Sequence, residues 1–89
     1  MNEGHLREEM ERGNRAKQLI KNEIFTETFD VLHQRYIDEL VSTKSDESEK
    51  RERLYNAVRA LQHVKDHIES VATTGEMAAQ QMNDIFKRR

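Results

Sequence analysis

The chain has 89 residues, no cysteine and no proline, and its charged residues (36%) match its hydrophobic ones (35%). A chain of this length has room for one small core, and without cysteine no disulfide can reinforce it, which leaves a partner subunit as the simplest further source of stability. The net charge of −2 gives no whole-molecule attraction to nucleic acid or to an anionic membrane.

Such a composition suits either a disordered chain or long solvated helices, so periodicity has to decide. No apolar run approaches the ~18 residues of a membrane span. The opening Met1-Asn2-Glu3-Gly4-His5-Leu6 has an acid where a signal peptide would need a basic and then apolar stretch. Together with the absence of cysteine, which fits a reducing compartment, this predicts a protein that stays in the cytoplasm.

Residues 5–21 read as a weak N-terminal helix. Leu6, Met10, Leu19 and Ile20 are apolar, but Gly13-Asn14 interrupts them and the remainder is mostly charged. The apolar phase slips between Ile20 and Phe25, and Asn22 can cap a new helix there, so a bend or break is expected near Asn22. Helix 1 is predicted over 23–42 from Phe25, Phe29, Leu32, Tyr36 and Leu40, spaced 4, 3, 4 and 4. Glu23, Glu27, Asp30, Asp38 and Glu39 make its polar face acidic, with Arg35 as the one base.

The short turn at Thr43–Ser45 predicts an antiparallel neighbour. Helix 2 is predicted over 46–87. Asp46 with Glu49 has capping-box spacing, and Asp46/Lys50, Glu47/Arg51 and Glu49/Arg53 stand at i,i+4. Leu54, Ala57, Leu61, Val64, Ile68, Val71, Gly75, Ala78, Met82 and Ile85 then alternate at spacings of 3 and 4. A heptad seam this long reads as coiled-coil-like packing, and its flanking Val58, Ala60, Ala72, Ala79 and Phe86 ask for more than one neighbour. Thr73–Glu76 interrupts the propensity, yet Gly75 lies on the seam, where a missing side chain admits another backbone. A continuous or gently kinked helix is the favoured reading there. The expected fold is therefore a single all-α domain over 1–89, an antiparallel helical hairpin with a weaker N-terminal segment, completed by oligomerisation. Phe25, Phe29, Leu32, Tyr36, Leu54, Leu61, Val64, Ile68 and Val71 are its core and subunit seam.

Catalysis finds no support. His63 and His67 are one turn apart in a His-x-x-Asp-His string, a pair that can chelate a metal. No third ligand stands in a recognisable place, so no metal or cofactor is expected. The serines and threonines gather at caps and the turn, where hydroxyls serve the backbone. The three scattered glycines form no phosphate loop, and the inward positions carry no acid for a carboxylate-bridged metal pair. Between residues 12 and 21, in contrast, Arg12, Arg15, Lys17 and Lys21 occur with no acid, and the chain ends in Lys87-Arg88-Arg89. These seven cations are the candidate DNA contacts. Each patch is weak in one subunit, but repetition in a ring would add the contacts together.

Four stretches carry a resemblance: Arg12-Gly13-Asn14-Arg15-Ala16-Lys17, Asn22-Glu23-Ile24-Phe25-Thr26-Glu27-Thr28-Phe29, Arg51-Glu52-Arg53-Leu54-Tyr55 and Thr74-Gly75-Glu76-Met77-Ala78. Over about residues 11–80 the chain resembles small helical proteins of tailed bacteriophages and prophages, encoded among head and DNA-packaging genes. Relatives often carry proline after the asparagine, where this chain has Glu23. The resemblance implies a role in virion assembly or packaging, in the host cytoplasm. The nearest named function is the small terminase subunit, an oligomer that recognises viral DNA and regulates the large, ATP-hydrolysing motor. Many such subunits carry a separate helix-turn-helix domain, for which this chain has no room. The implied partners are further copies of the chain, double-stranded DNA, and the large terminase or another head protein. The alternative is a helical adaptor that binds protein alone.

Overall fold

The helical spacing is realised along nearly the whole chain. A computed structural model describes residues 2–88, and among them are three helices and no strand: α1 (Glu3–Lys21), α2 (Glu23–Val41) and α3 (Ser48–Arg88). Asn2 starts α1 by accepting the His5 N–H on Oδ1 at 2.7 Å, which satisfies one of the donors a helix start leaves open. At the other end the Asn22 N–H donates to Leu19 O at 3.1 Å, and Asn22 leaves the helical region with ψ 121°. Asn22 thus closes α1, and α2 begins at the next residue.

The chain divides into two compact units, one joining Met1–Asn22 to His67–Arg89 and the other comprising Glu23–Asp66. The first unit holds the fully buried apolar cluster. Leu6 (1% exposed), Ala78 and Met82 form it, with Met10 and Ile85 packed alongside. Burying a side chain the size of Leu6 contributes about 1.5–3 kcal/mol. α1 and the second half of α3 run antiparallel, since Leu6 meets Met82 while Gly13, further along α1, meets Gly75.

α1 runs through Gly13-Asn14 without interruption. A Cβ built on Gly13 would stand 2.6 Å from Gly75 Cα, and one on Gly75 the same distance from Gly13 Cα. Two helix backbones meet there, and their contact offsets the ~1 kcal/mol that glycine costs inside a helix. The same requirement accounts for Gly75, across which α3 is continuous.

The second unit is built differently. Phe29, Asp30 and His33 share a cleft with Leu61, Gln62 and Lys65, and Tyr36 shares another with Ala57, Ala60, Leu61 and Val64. Positions that rise along α2 meet positions that fall along α3. No residue of α2 is buried, and of the first part of α3 only Leu54 is. Phe25 and Phe29 stack at tilted geometry, 4.8 Å between ring centroids.

Between α2 and α3 the turn is held by Arg51. Its guanidinium donates to Thr43 Oγ1 (3.3 Å), to the Lys44 carbonyl and to Ser45 O (3.2 Å). Glu47 turns back to accept the Lys44 N–H at 2.9 Å, so α3 starts at Ser48 and not at the Asp46 capping box. In place of the expected forward pair with Glu47, the Arg51 guanidinium serves the turn carbonyls, of which Lys44 O also accepts the Glu47 N–H at 3.0 Å. Arg51→Ala should lower stability by about 1–2 kcal/mol in chemical denaturation, and Arg51→Lys should restore little, since an ammonium cannot fork across three acceptors. An unchanged midpoint for Arg51→Ala would show that the turn holds without it.

Candidate nucleic-acid interface

Helical geometry decides which of the seven cations act together. Arg12, Arg15 and Lys21 are exposed on α1, and Lys87 and Arg88 are exposed in the last turn of α3. Arg89 lies outside the described residues. Lys17 is half-buried, and its Nζ pairs with Glu76 Oε1 across the helix contact at 2.6 Å. Arg12 and Arg15 share one face at i,i+3, whereas Lys17 and Lys21 share another at i,i+4. Glu8 and Glu11 stand one turn before Arg12 and Arg15, which dilutes the field of that face.

The two basic groups also lie apart along the first unit. Arg12 is level with the Gly13–Gly75 contact, while Arg88 is 13 residues beyond Gly75, about 20 Å at 1.5 Å per residue. Arg15 and Lys21 extend the other way. The structure therefore presents two separate basic ends, one on α1 and one on α3.

The seam residues occur in both units and are covered unevenly. Leu54 is buried, Phe25, Phe29, Leu32, Tyr36, Leu61, Ile68 and Val71 are half-buried, and Val64 is 50% exposed. Ile24 (70%) and Val41 (79%) are more exposed still.

A cleft of about 200 Å³ in the first unit went unnoticed in the sequence. Glu9 and Arg12 of α1 line it together with His67, Ser70, Val71 and Thr74 of α3. The close approach at Gly13 and Gly75 is what brings these turns together. Ser70 and Thr74 lie in mid-helix, so the expectation that hydroxyls here serve caps and turns holds only for residues such as Ser42 and Thr43, which donate to Glu39 O and Leu40 O. The available signal was the spacing 67, 70, 74 on one face of a helix. His5 Nε2 stands 2.9 Å from Glu9 Oε1. Among the described residues no group of three or more His, Cys, Asp or Glu gathers as for a metal ion, and Asp66 accepts from Gln62 Nε2 at 2.8 Å. No helix among them is long and apolar enough to cross a membrane.

No protein-family model matches this sequence, and neither a curated protein nor a solved structure was found to match it.

Proposed function

We propose that the protein is a non-enzymatic assembly or DNA-packaging factor of the tailed-phage type, a small-terminase-like homo-oligomer acting in the host cytoplasm. The observation that carries this reading is α2. Nine of its nineteen residues are apolar or aromatic, from Ile24 to Val41, and none is buried. A helix of that character is stable when another surface covers it. In the assembly, α2 and the first half of α3 form an antiparallel hairpin whose seam packs coiled-coil-like against neighbouring copies. The sequence resemblance supplies the biological setting, and the basic ends of α1 and α3 supply contacts to duplex DNA or to an acidic face of the packaging motor.

A second reading, a helical adaptor with no nucleic-acid contact, is favoured by one observation: Lys17 is already engaged by Glu76. Absolute mass by light scattering, at two salt concentrations, separates the two. Roughly eight or more 10.6 kDa subunits in a closed ring favour packaging, and a dimer or tetramer favours the adaptor.

Retention of duplex DNA should fall steeply with salt. Changing Arg12, Arg15, Lys17 and Lys21 together to Ser should abolish it while leaving the mass unaltered. The Lys17–Glu76 pair leaves both side chains about half open to solvent, so its loss should cost at most ~1 kcal/mol. DNA retained by that variant would remove α1 from the interface.

A further inference from the structure

We propose that the cleft between α1 and α3 at the Gly13–Gly75 contact is a binding site for a phosphate oxyanion. The inference needs only the first unit, and so it stands apart from the assembly reading. Four of the six lining residues carry donors: the Arg12 guanidinium, the His67 imidazole, and the hydroxyls of Ser70 and Thr74. They come from two helices whose backbones are in contact, so their separation is set by the fold and not by a loop.

Arg12 brings a planar fork of N–H groups that matches two phosphate oxygens at once. Among the described residues it takes part in no ion pair. His67, Ser70 and Thr74 follow at i, i+3 and i+7, one face of α3. A hydroxyl and an imidazole can each donate a hydrogen bond without carrying charge. The volume of about 200 Å³ is enough for several waters at ~30 Å³ each, and so for a partly hydrated oxyanion.

Glu9 is the one acid in the lining, and His5 draws its Oε1 toward the preceding turn at 2.9 Å. Glu9 opposes an anion and so weakens the site, which gives the proposal a test of opposite sign. Among the candidate cations, Arg12 shares a cleft with hydroxyl and imidazole donors. Ligand chemistry is therefore assigned to this cleft ahead of the exposed ends.

The experiment is a titration of the intact protein with inorganic phosphate, followed by backbone amide NMR, with acetate at equal ionic strength as the reference. Saturable shifts confined to residues 9–13 and 67–75, and absent with acetate, are expected. Arg12→Gln should weaken binding about tenfold or more. Ser70→Ala with Thr74→Val should weaken it less, and Glu9→Gln should tighten it. Helicity and mass of each variant, measured alongside, separate loss of the site from loss of fold or assembly. A short duplex DNA forms the second arm. Competition with phosphate at the same residues identifies the nucleic-acid backbone as the source of the oxyanion, and phosphate binding without competition identifies the free ion. Either result supports the site. Shifts that do not saturate and fall equally on Lys21, Lys87 and Arg88 would overturn it, as would an Arg12→Gln variant that binds as well as the parent or a Glu9→Gln variant that binds less.

Discussion

Gly75→Ala should destabilise the protein even though it improves the helix in which it sits. In an isolated α3 peptide, alanine is favoured over glycine by ~1 kcal/mol, and helicity should rise. In the folded chain the new methyl would lie 2.6 Å from Gly13 Cα, 3.0 Å from Glu9 O and 3.3 Å from Gly13 N. All three are backbone atoms of a second helix, which cannot swing aside as a side chain would. Separating the helices costs about 1–3 kcal/mol and loosens Leu6, Ala78 and Met82 at the same time. A net loss of up to about 2 kcal/mol follows, and Gly75→Val should cost more. Gly4→Ala is the control, because its nearest neighbour is Asn2 Oδ1 at 3.5 Å, an ordinary contact, and it should change stability by ~0.5 kcal/mol or less. Denaturation midpoints at one fixed protein concentration decide the matter, since any oligomer makes the midpoint concentration-dependent. A higher midpoint for Gly75→Ala would mean that the two backbones do not touch.

Leu61→Asp should abolish assembly, and with it most of the helicity of α2. Leu61 lines both clefts of the second unit, facing Phe29 and His33 on one side and Tyr36, Ala57 and Val64 on the other. A carboxylate there replaces the leucine that faces Phe29, Tyr36, Ala57 and Val64, and covering it by a neighbouring copy costs several kcal/mol even with Lys65 one turn on. Leu61→Met, which conserves volume, should cost less than ~1.5 kcal/mol and keep the parent mass. Light scattering and circular dichroism on the two variants read the outcome. An unchanged mass and helicity for Leu61→Asp would overturn the seam.

That the chain is helical follows from spacing alone, because apolar residues at 3 and 4 generate a stripe only on a helix. Gly75 could be placed on that stripe, and a close backbone approach inferred, since a seam position without a side chain leaves a gap to be filled. Gly13 could not. It has no apolar phase of its own, charged residues surround it, and only its partner 62 positions later shows why it is glycine. The Arg51 contacts were hidden for a similar reason, as i,i+4 spacing offered Glu47 as a partner while the turn geometry offered carbonyls. Of the candidate site, Arg12 was legible as a cation without nearby acids on its C-terminal side. His67, Ser70 and Thr74 acquire meaning only when α1 is laid beside them, which is tertiary information.

The buried cluster joins Leu6 to Met82, and this fixes an order of events during synthesis. α1 emerges from the ribosome amphipathic, yet the Met82 that covers Leu6 is made 76 positions later. Closing a loop of this size is entropically costly, and contacts so distant in sequence form slowly. The nascent chain must therefore carry Leu6 and Met10 exposed until the second half of α3 has been made. During that interval solubility rests on the dense charge of Arg7, Glu8, Glu9, Glu11 and Arg12 beside them, so the same residues that make α1 a poor helix by its own pattern keep it from associating before its partner arrives.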